Sequence, residues 1–313
     1  MAEKIATREG YGNALVEFAD DYDFVVLDAD LAAATKTGIF KKKYPERFFN
    51  CGIAEGNMMS VAAGIASTGK TVFASSFAMF AAGRAFEQIR NSIAYPALNV
   101  KICATHAGIS VGEDGATHQC LEDIALMRSI PNMTIVNPAD AVEARAAIKA
   151  ALDYEGPMYI RLGRLAVPVY NDPATYEFKL GKGICLKEGS DVTIVATGLM
   201  VDMANNAAKM LSDEGISARV INIHTIKPLD KDIILKAASE TGALVVAEEH
   251  NIIGGLGSAV AETVCESSPV PVLRVGTNDV FGRSGKVPPL LELYGLTAEN
   301  IAEKAKLAIS LKK

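Results

Sequence analysis

A tandem of two α/β domains, each a mostly parallel sheet with helices on both faces, is the fold class that the sequence predicts. Three observations lead there. Short β-rich apolar runs alternate with helix-like stretches from Phe24 almost to the end of the chain, and such alternation gives parallel strands joined by crossover helices. The alternation lapses once, over residues 169–189, where Asn171, Asp172, Pro173 and a second polar patch read as a linker. The 313 residues are 50% hydrophobic, rich in Gly and Ala and free of Trp, which suits two cores of ordinary size with helices packed closely on sheets.

In the first domain, residues 1–168, Phe24 to Leu27 is a short strand ending towards Asp28 and Asp30. An apolar β-type stretch from Phe48 to Ile53 leads into a small-residue helix from Gly56 to Ala66. Thr71 to Ala74 is the next strand, followed by a helix with apolar spacing through Phe77, Phe80, Phe86 and Ile89. Val100 to Ala104 and Met133 to Val136 are strands, Ala139 to Leu152 is an alanine-rich helix, and Tyr159 to Leu162 closes the series. In the second domain, residues 190–313, strands at Val192 to Ala196, Ala218 to Ile223, Leu244 to Ala247 and Val270 to Val275 alternate with helices at Met200 to Leu211 and Lys231 to Ala238 and after Gly254. Thr297 to Leu311 is a terminal helix with apolar positions at Ile301, Ala305 and Ile309.

Charge and cysteine usage exclude several function classes. The net charge is −6 and no basic tract exceeds Lys41 to Lys43, so nucleic acid is not the expected partner. The five cysteines form no CxxC pair, which points to free thiols and away from a disulfide framework or a zinc site. The N-terminal residues hold no apolar run and no window reaches the length of a membrane span, so a soluble cytoplasmic protein without a membrane partner is expected.

Glu55 lies in a run almost empty of other charge, at a strand-to-helix junction. Apolar cover there disfavours an ionised carboxylate and raises its pKa; a first-turn acid favoured by the helix dipole is the plainer role. Phe77 and Phe80, three apart, share a face if helical, either as core or as a platform for a flat heterocycle. The stretch 105–120 (THAGISVGEDGATHQC) is the most polar, glycine-rich part of the first domain. It follows a strand, where ligand loops of open α/β sheets lie. It carries His106 and His118 with Glu113 and Asp114 between them; the spacing matches no zinc pattern, and mixed donors and acceptors suit sugar hydroxyls. Arg161, Arg164 and Arg8 suit phosphate or carboxylate capture, or plain surface ion pairs. Gly254 to Gly257 resembles a phosphate-binding turn but lacks the dinucleotide fingerprint; close helix–strand packing accounts for it. His224 and His250 are read as structural or interfacial.

Together the segments resemble the C-terminal half of transketolase, across nearly the whole chain. The matching motifs are KIATR (Lys4 to Arg8), GIAEGNM (Gly52 to Met58), SSFAMF (Ser75 to Phe80), THAGISVGEDGATHQ (Thr105 to Gln119), PNMTIVNPAD (Pro131 to Asp140), IKPLD (Ile226 to Asp230), AEEH (Ala247 to His250) and GGLGSAV (Gly254 to Val260). The resemblance implies a thiamine diphosphate pyrimidine-binding domain followed by a transketolase C-terminal domain. It implies transfer of a two-carbon ketol unit from a ketose phosphate to an aldose phosphate, as in the pentose phosphate pathway. By motif, Glu55 is the acid that hydrogen-bonds the aminopyrimidine nitrogen and sets its tautomer. Phe77 and Phe80 flank the pyrimidine, and Asp30 lies near the cofactor. His106, Asp114 and His118 meet sugar hydroxyls, and Arg8 and Arg164 hold the substrate phosphate.

The chain departs from the family in having Ala34 where a phosphate-binding Ser is expected, Gly83 where a third aromatic is expected, and Arg161 as an extra Arg seen in deoxyxylulose-phosphate synthases. It has no GDG motif of the kind that binds the diphosphate and Mg²⁺, and it opens on the residues that begin the pyrimidine domain. The expectation is therefore one subunit of a split transketolase. An N-terminal partner subunit would supply the Mg²⁺ ligands, and two copies of this chain would form the centre of an α2β2 assembly. The competing readings are a 2-oxo acid dehydrogenase β subunit, against which the GEDGATHQ loop argues, a deoxyxylulose-phosphate-synthase-like enzyme, and a non-catalytic regulatory subunit that keeps the fold.

Overall fold

The structure, a computed structural model, describes residues 3–312. The first domain is built on a seven-stranded sheet. Its spatial order is Thr225–Lys227, Thr134–Val136, Met158–Arg161, Val100–Thr105, Thr71–Phe77, Phe24–Asp28 and Phe48–Asn50. All neighbours are parallel except the first pair. The central strand, Val100–Thr105, is buried at every residue, as expected of a parallel strand covered on both faces. The second sheet runs Val272–Thr277, Leu244–Asn251, Val192–Ala196, Ala218–Asn222 and Ile184–Lys187, parallel except for the last pair. Each domain thus has the mostly parallel sheet and flanking helices expected from the alternation.

Three departures are physical. The stretch expected to be linker contains the strand Ile184–Lys187, an edge strand of the second sheet with alternating exposure. Thr71–Phe77 runs three residues past the expected end because Ser75 and Ser76 are buried with the apolar residues. Phe77 therefore ends a strand and does not lie on a helix with Phe80. The segments that follow, Met79–Arg84 and Ile89–Ala94, are π-helical turns around the short helix Phe86–Gln88, a geometry that concentrates at functional sites.

The helix Ala141–Asp153 shows how local sequence and domain docking meet. Asp140 caps it by accepting from the Glu143 amide at 2.8 Å, and the Glu143 carboxylate accepts from the Ala139 amide at 2.6 Å, a near-relative of the capping box. Glu143 also accepts from Asn222 of the second domain at 2.8 Å and from Tyr176. Burial pushes its pKa up to about 7 against those hydrogen bonds. One apolar cluster crosses between the domains, joining Met127, Ile130 and Ile135 to Ile223, Ile226 and Leu256. The docking is therefore a shared core.

Candidate functional site

The sequence-derived candidates gather beyond the carboxyl ends of strands. Phe77 closes Thr71–Phe77, His106 follows Val100–Thr105, Asp30 follows Phe24–Asp28, Arg164 follows Met158–Arg161, and Glu55 follows Phe48–Asn50 across a short loop. That edge is where open α/β sheets bind ligands.

Glu55 opens the helix Glu55–Ala66 and is 1% exposed. It is not surrounded by apolar groups alone. Arg84 Nη1 donates to its Oε2 at 2.9 Å, and Ser76 Oγ reaches its Oε1 at 3.5 Å. Both the plain first-turn position and the buried environment are thus present, and Arg84 is a partner that the sequence reading missed. Phe77 and Phe80 lie near-parallel, their centroids 6.0 Å apart with 18° between planes. Phe77 stacks on His106 at 3.8 Å, and Phe80 meets His118 edge-on at 5.2 Å. The place expected for a third aromatic, Gly83, is filled by Met79: a Cβ at Gly83 would lie 2.2 Å from Met79 Cε.

His106 is 2% exposed and holds a positive φ of 57°. Its Nε2 lies 3.2 Å from Arg8 Nη1 and its Nδ1 2.9 Å from Thr105 Oγ1. Burial, helped by the charges of Arg8 and Arg164, lowers its pKa to about 3, so the ring is neutral. A guanidinium only donates, hence Nε2 accepts and Nδ1 carries the proton towards Thr105. Both nitrogens are engaged, and His106 acts here as the seat of Arg8. Arg8 also donates to the Ala34 carbonyl at 2.8 Å. Burial above all lowers the Arg8 pKa; Glu9 raises it and Arg164 lowers it again. Arg8 and Arg164 thus sit in each other's field, an arrangement that favours an anion between them.

Arg164 contacts the Val111 carbonyl and, at 3.6 Å, Glu113. His118 is half-buried and pairs with Thr117 at 3.0 Å. Asp114 is exposed at the end of the turn Ile109–Asp114, and its side chain forms no hydrogen bond or ion pair, to the histidines or otherwise, among the described residues. Asp30 is exposed, has φ 66° and accepts from Asn50 Nδ2 at 2.8 Å. Its neighbour Asp28 is fully buried and organises the segment by accepting from Thr35, Thr37 and the Leu31 amide.

The second domain holds the histidine loop in place. Gln119 Nε2 donates to the Arg283 carbonyl at 2.9 Å, Ser284 Oγ donates to the Glu113 carbonyl, and the Ser110 amide donates to Glu249 at 2.6 Å. Gly108, with φ 83°, lies so close to Glu249 that a Cβ would fall 2.3 Å from its carboxyl carbon; only glycine fits there.

One expectation is corrected. Arg161 is no anion receptor: it is 3% exposed and locked to Asp123 at 2.8 Å and to the Glu249 carbonyl at 2.9 Å. The Gly254 to Gly257 turn packs closely, as expected: a Cβ at Gly255 would lie 2.1 Å from Glu248 Oε2, and Leu256 and Gly257 donate to that carboxylate at 2.7 and 2.8 Å. His250 is buried between Asn251 and Ala125, and His224 beside Thr225 and Phe178, as their structural reading requires.

No group of three or more His, Cys, Asp or Glu side chains among the described residues is placed to hold a metal ion. No described helix is long and apolar enough to cross a membrane. A buried carboxylate, an aromatic pair and a histidine loop thus stand together at the carboxyl edge of an open-sheet α/β protein. Residues 3–169 match the transketolase pyrimidine-binding domain and residues 181–301 the transketolase C-terminal domain. The chain belongs to the transketolase family, whose members depend in general on thiamine diphosphate. It is similar to a solved structure described as a split gene transketolase, an inactive beta4 tetramer, with 56% identity, a TM-score of 0.93 and coverage of 99% of this chain and 100% of that one. It is 46% identical over 299 residues to the 6-deoxy-6-sulfo-D-fructose transketolase subunit of Clostridium sp. strain MSTE9, covering 95% of this chain and 92% of the relative. It is 38% identical over 307 residues to human transketolase, covering 97% of this chain but 49% of that protein.

Proposed function

We propose that this chain is the C-terminal subunit of a two-chain transketolase. It would transfer a two-carbon ketol unit between anionic sugars once a partner supplies the diphosphate- and Mg²⁺-binding domain. The observation that carries the reading is the buried Glu55 carboxylate beside the stacked Phe77 and Phe80 at the carboxyl edge of the sheet. The fit to an aminopyrimidine has support in the side chains themselves. A planar N–C–N group, the Arg84 guanidinium, rests 4.6 Å over the Phe80 ring while donating to Glu55, so the place between ring and carboxylate accepts a flat amidine-like group. When bound, thiamine diphosphate supplies the carbon nucleophile that carries the ketol unit. Glu55 would hold and return a proton at the ring nitrogen, and Phe77 and Phe80 would flank the ring. Arg8, seated by His106, and Arg164 capture a terminal anion, either a phosphate or the sulfonate in the name of the Clostridium relative's substrate. His118 and Asp114 offer partners to the sugar hydroxyls, and Asp30 lies at the cofactor end of the same edge.

Dependence on a partner has two supports: the match to half of human transketolase, and the inactive tetramer of the solved relative. A diphosphate carries most of the cofactor's charge and needs metal and oxygen ligands. Two copies of this chain flanked by two partner chains form the simplest closed assembly. The test is calorimetry and ketol-transfer activity with the purified chain, Mg²⁺ and cofactor, with and without a partner chain carrying a GDG motif. Activity only in the mixture is expected; micromolar cofactor binding and turnover by this chain alone would refute the reading.

A further inference from the structure

Arg84 has the shape and placement of a ligand. It ends the π-helical segment Met79–Arg84, so Phe80 and Arg84, four residues apart, stand on one side of a widened turn. Its guanidinium lies 4.6 Å over the Phe80 ring and donates to Glu55 Oε2 at 2.9 Å. The Arg84 side chain is 52% exposed while that of Glu55 is 1% exposed. Arg84 therefore roofs the carboxylate from the solvent side. Among the described residues it forms no other hydrogen bond or ion pair, so a charge-assisted hydrogen bond and a cation–π contact are all that hold it. Ser76, at 3.5 Å, is the other hydrogen-bonding side chain on the carboxylate among the described residues.

The chemistry of the roof resembles that of the expected guest. A guanidinium and an aminopyrimidine both present a flat, delocalised N–C–N edge that meets a carboxylate in plane and an aromatic ring face-on. Both cannot hold the same oxygen of Glu55 against the same ring. We propose that Arg84 occupies the pyrimidine slot of the free chain as an internal plug, which swings into solvent when the aminopyrimidine arrives. This rests on the thiamine reading given above. The plug keeps the buried carboxylate paired while the slot has no guest, and it lowers the chain's apparent affinity by the fraction of molecules in which the slot is open. A permanent supporting role for Arg84, in which it stays on Glu55 and helps hold the ring, predicts the opposite sign. The half-exposed side chain, with no polar anchor besides Glu55 among the described residues, favours departure.

The test uses the pyrimidine half of thiamine, 4-amino-5-hydroxymethyl-2-methylpyrimidine, titrated into the full isolated chain and followed by ligand-observed NMR. Wild type, Arg84→Ala, Arg84→Gln and the double variant Glu55→Gln/Arg84→Ala are compared, with circular dichroism melts to establish folding. Arg84→Gln removes the charge but keeps a neutral donor, so it remains informative if Arg84→Ala leaves Glu55 too bare to fold. A plug that is closed in nine of ten molecules gives about tenfold tighter binding in both single variants, lost in the double variant. Affinity that is unchanged, weaker or undetectable in every form overturns the plug. Equal binding by wild type and Arg84→Ala that still disappears without Glu55 defeats the plug and leaves the thiamine reading standing. Tightened binding that survives the loss of Glu55 puts the probe elsewhere and overturns both.

Discussion

Replacing Arg161 by Met should cost the isolated chain about 3–5 kcal/mol of stability, the range for removing one partner of a buried ion pair. The side chains of Arg161 and Asp123 are 4% and 0% exposed, with Nε to Oδ2 at 2.8 Å. Burial opposes the Arg161 charge, but Asp123 and Glu249 more than offset it, and the net pKa is raised. Met fills much of the volume but leaves Asp123 with one neutral donor, the Tyr159 hydroxyl at 2.8 Å, while its Oδ1 already lacks a partner among the described residues. The carbonyl of Glu249, which accepts from Arg161 at 2.9 Å, loses that bond too. The double variant Arg161→Met/Asp123→Leu removes both charges and should recover part of the loss, keeping a residue of about 1–3 kcal/mol for the stranded Tyr159 hydroxyl and Glu249 carbonyl. Urea unfolding is the assay, with stabilities compared only where the slope is unchanged. A loss below about 1 kcal/mol for Arg161→Met would refute the clamp. So would a collapse of activity with full stability, which would return Arg161 to the anion site.

Four further outcomes are expected. Glu55→Gln should lower turnover of the assembled enzyme by about 10²–10⁴ with the fold intact; C2-proton exchange of bound cofactor at the wild-type rate would remove Glu55 from its role. Arg164→Ala should raise KM for phosphorylated sugars more than for free sugars, and equal effects would show that Arg164 does not read the anion. His106, ordinarily near 6.5 and lowered to about 3 in the fold, leaves the unfolded chain binding more protons between those values. Its contribution is therefore intact above pH 6.5 and falls on acidification, by at most about 1.4 kcal/mol per unit; a His106→Gln profile as steep as wild type over that window would contradict this. Gly255→Ala puts a Cβ 2.1 Å from Glu248 Oε2, against the carboxylate that caps the helix Leu256–Ser267, and should cost about 1–3 kcal/mol in unfolding experiments.

The parallel strands were readable because a strand buried on both faces leaves a continuous apolar run, as in Val192–Ala196. The helix Thr7–Phe18 left no such trace. It carries Gly10 and Gly12 and little amphipathic contrast, and it presses against Ala141, whose carbonyl would lie 2.6 Å from a Cβ at Gly10. Phe77 and Phe80 were found by spacing, yet for the wrong local reason: one ends a strand and the other enters a π-turn. Glu55 was legible as an isolated charge in an apolar run. Arg84 was not, because a pairing across 29 residues follows from where two strands end, not from any local motif. For the same reason Arg161 and Arg164, three apart, read alike in sequence although one faces the domain junction and the other the histidine loop.

The short strand Thr225–Lys227 lies late in the chain but completes the first sheet, pairing antiparallel with Thr134–Val136. Lys227 Nζ fastens it further by donating to the carbonyls of Arg128 and Ile130 at 2.9 and 2.6 Å. The two halves are therefore not interchangeable building blocks. A fragment ending at residue 168 would expose Thr134–Val136, three β-prone residues, as an unpaired edge open to promiscuous self-pairing. Any scheme that grafts the pyrimidine-binding half onto another protein must carry this strand along or provide a substitute for it.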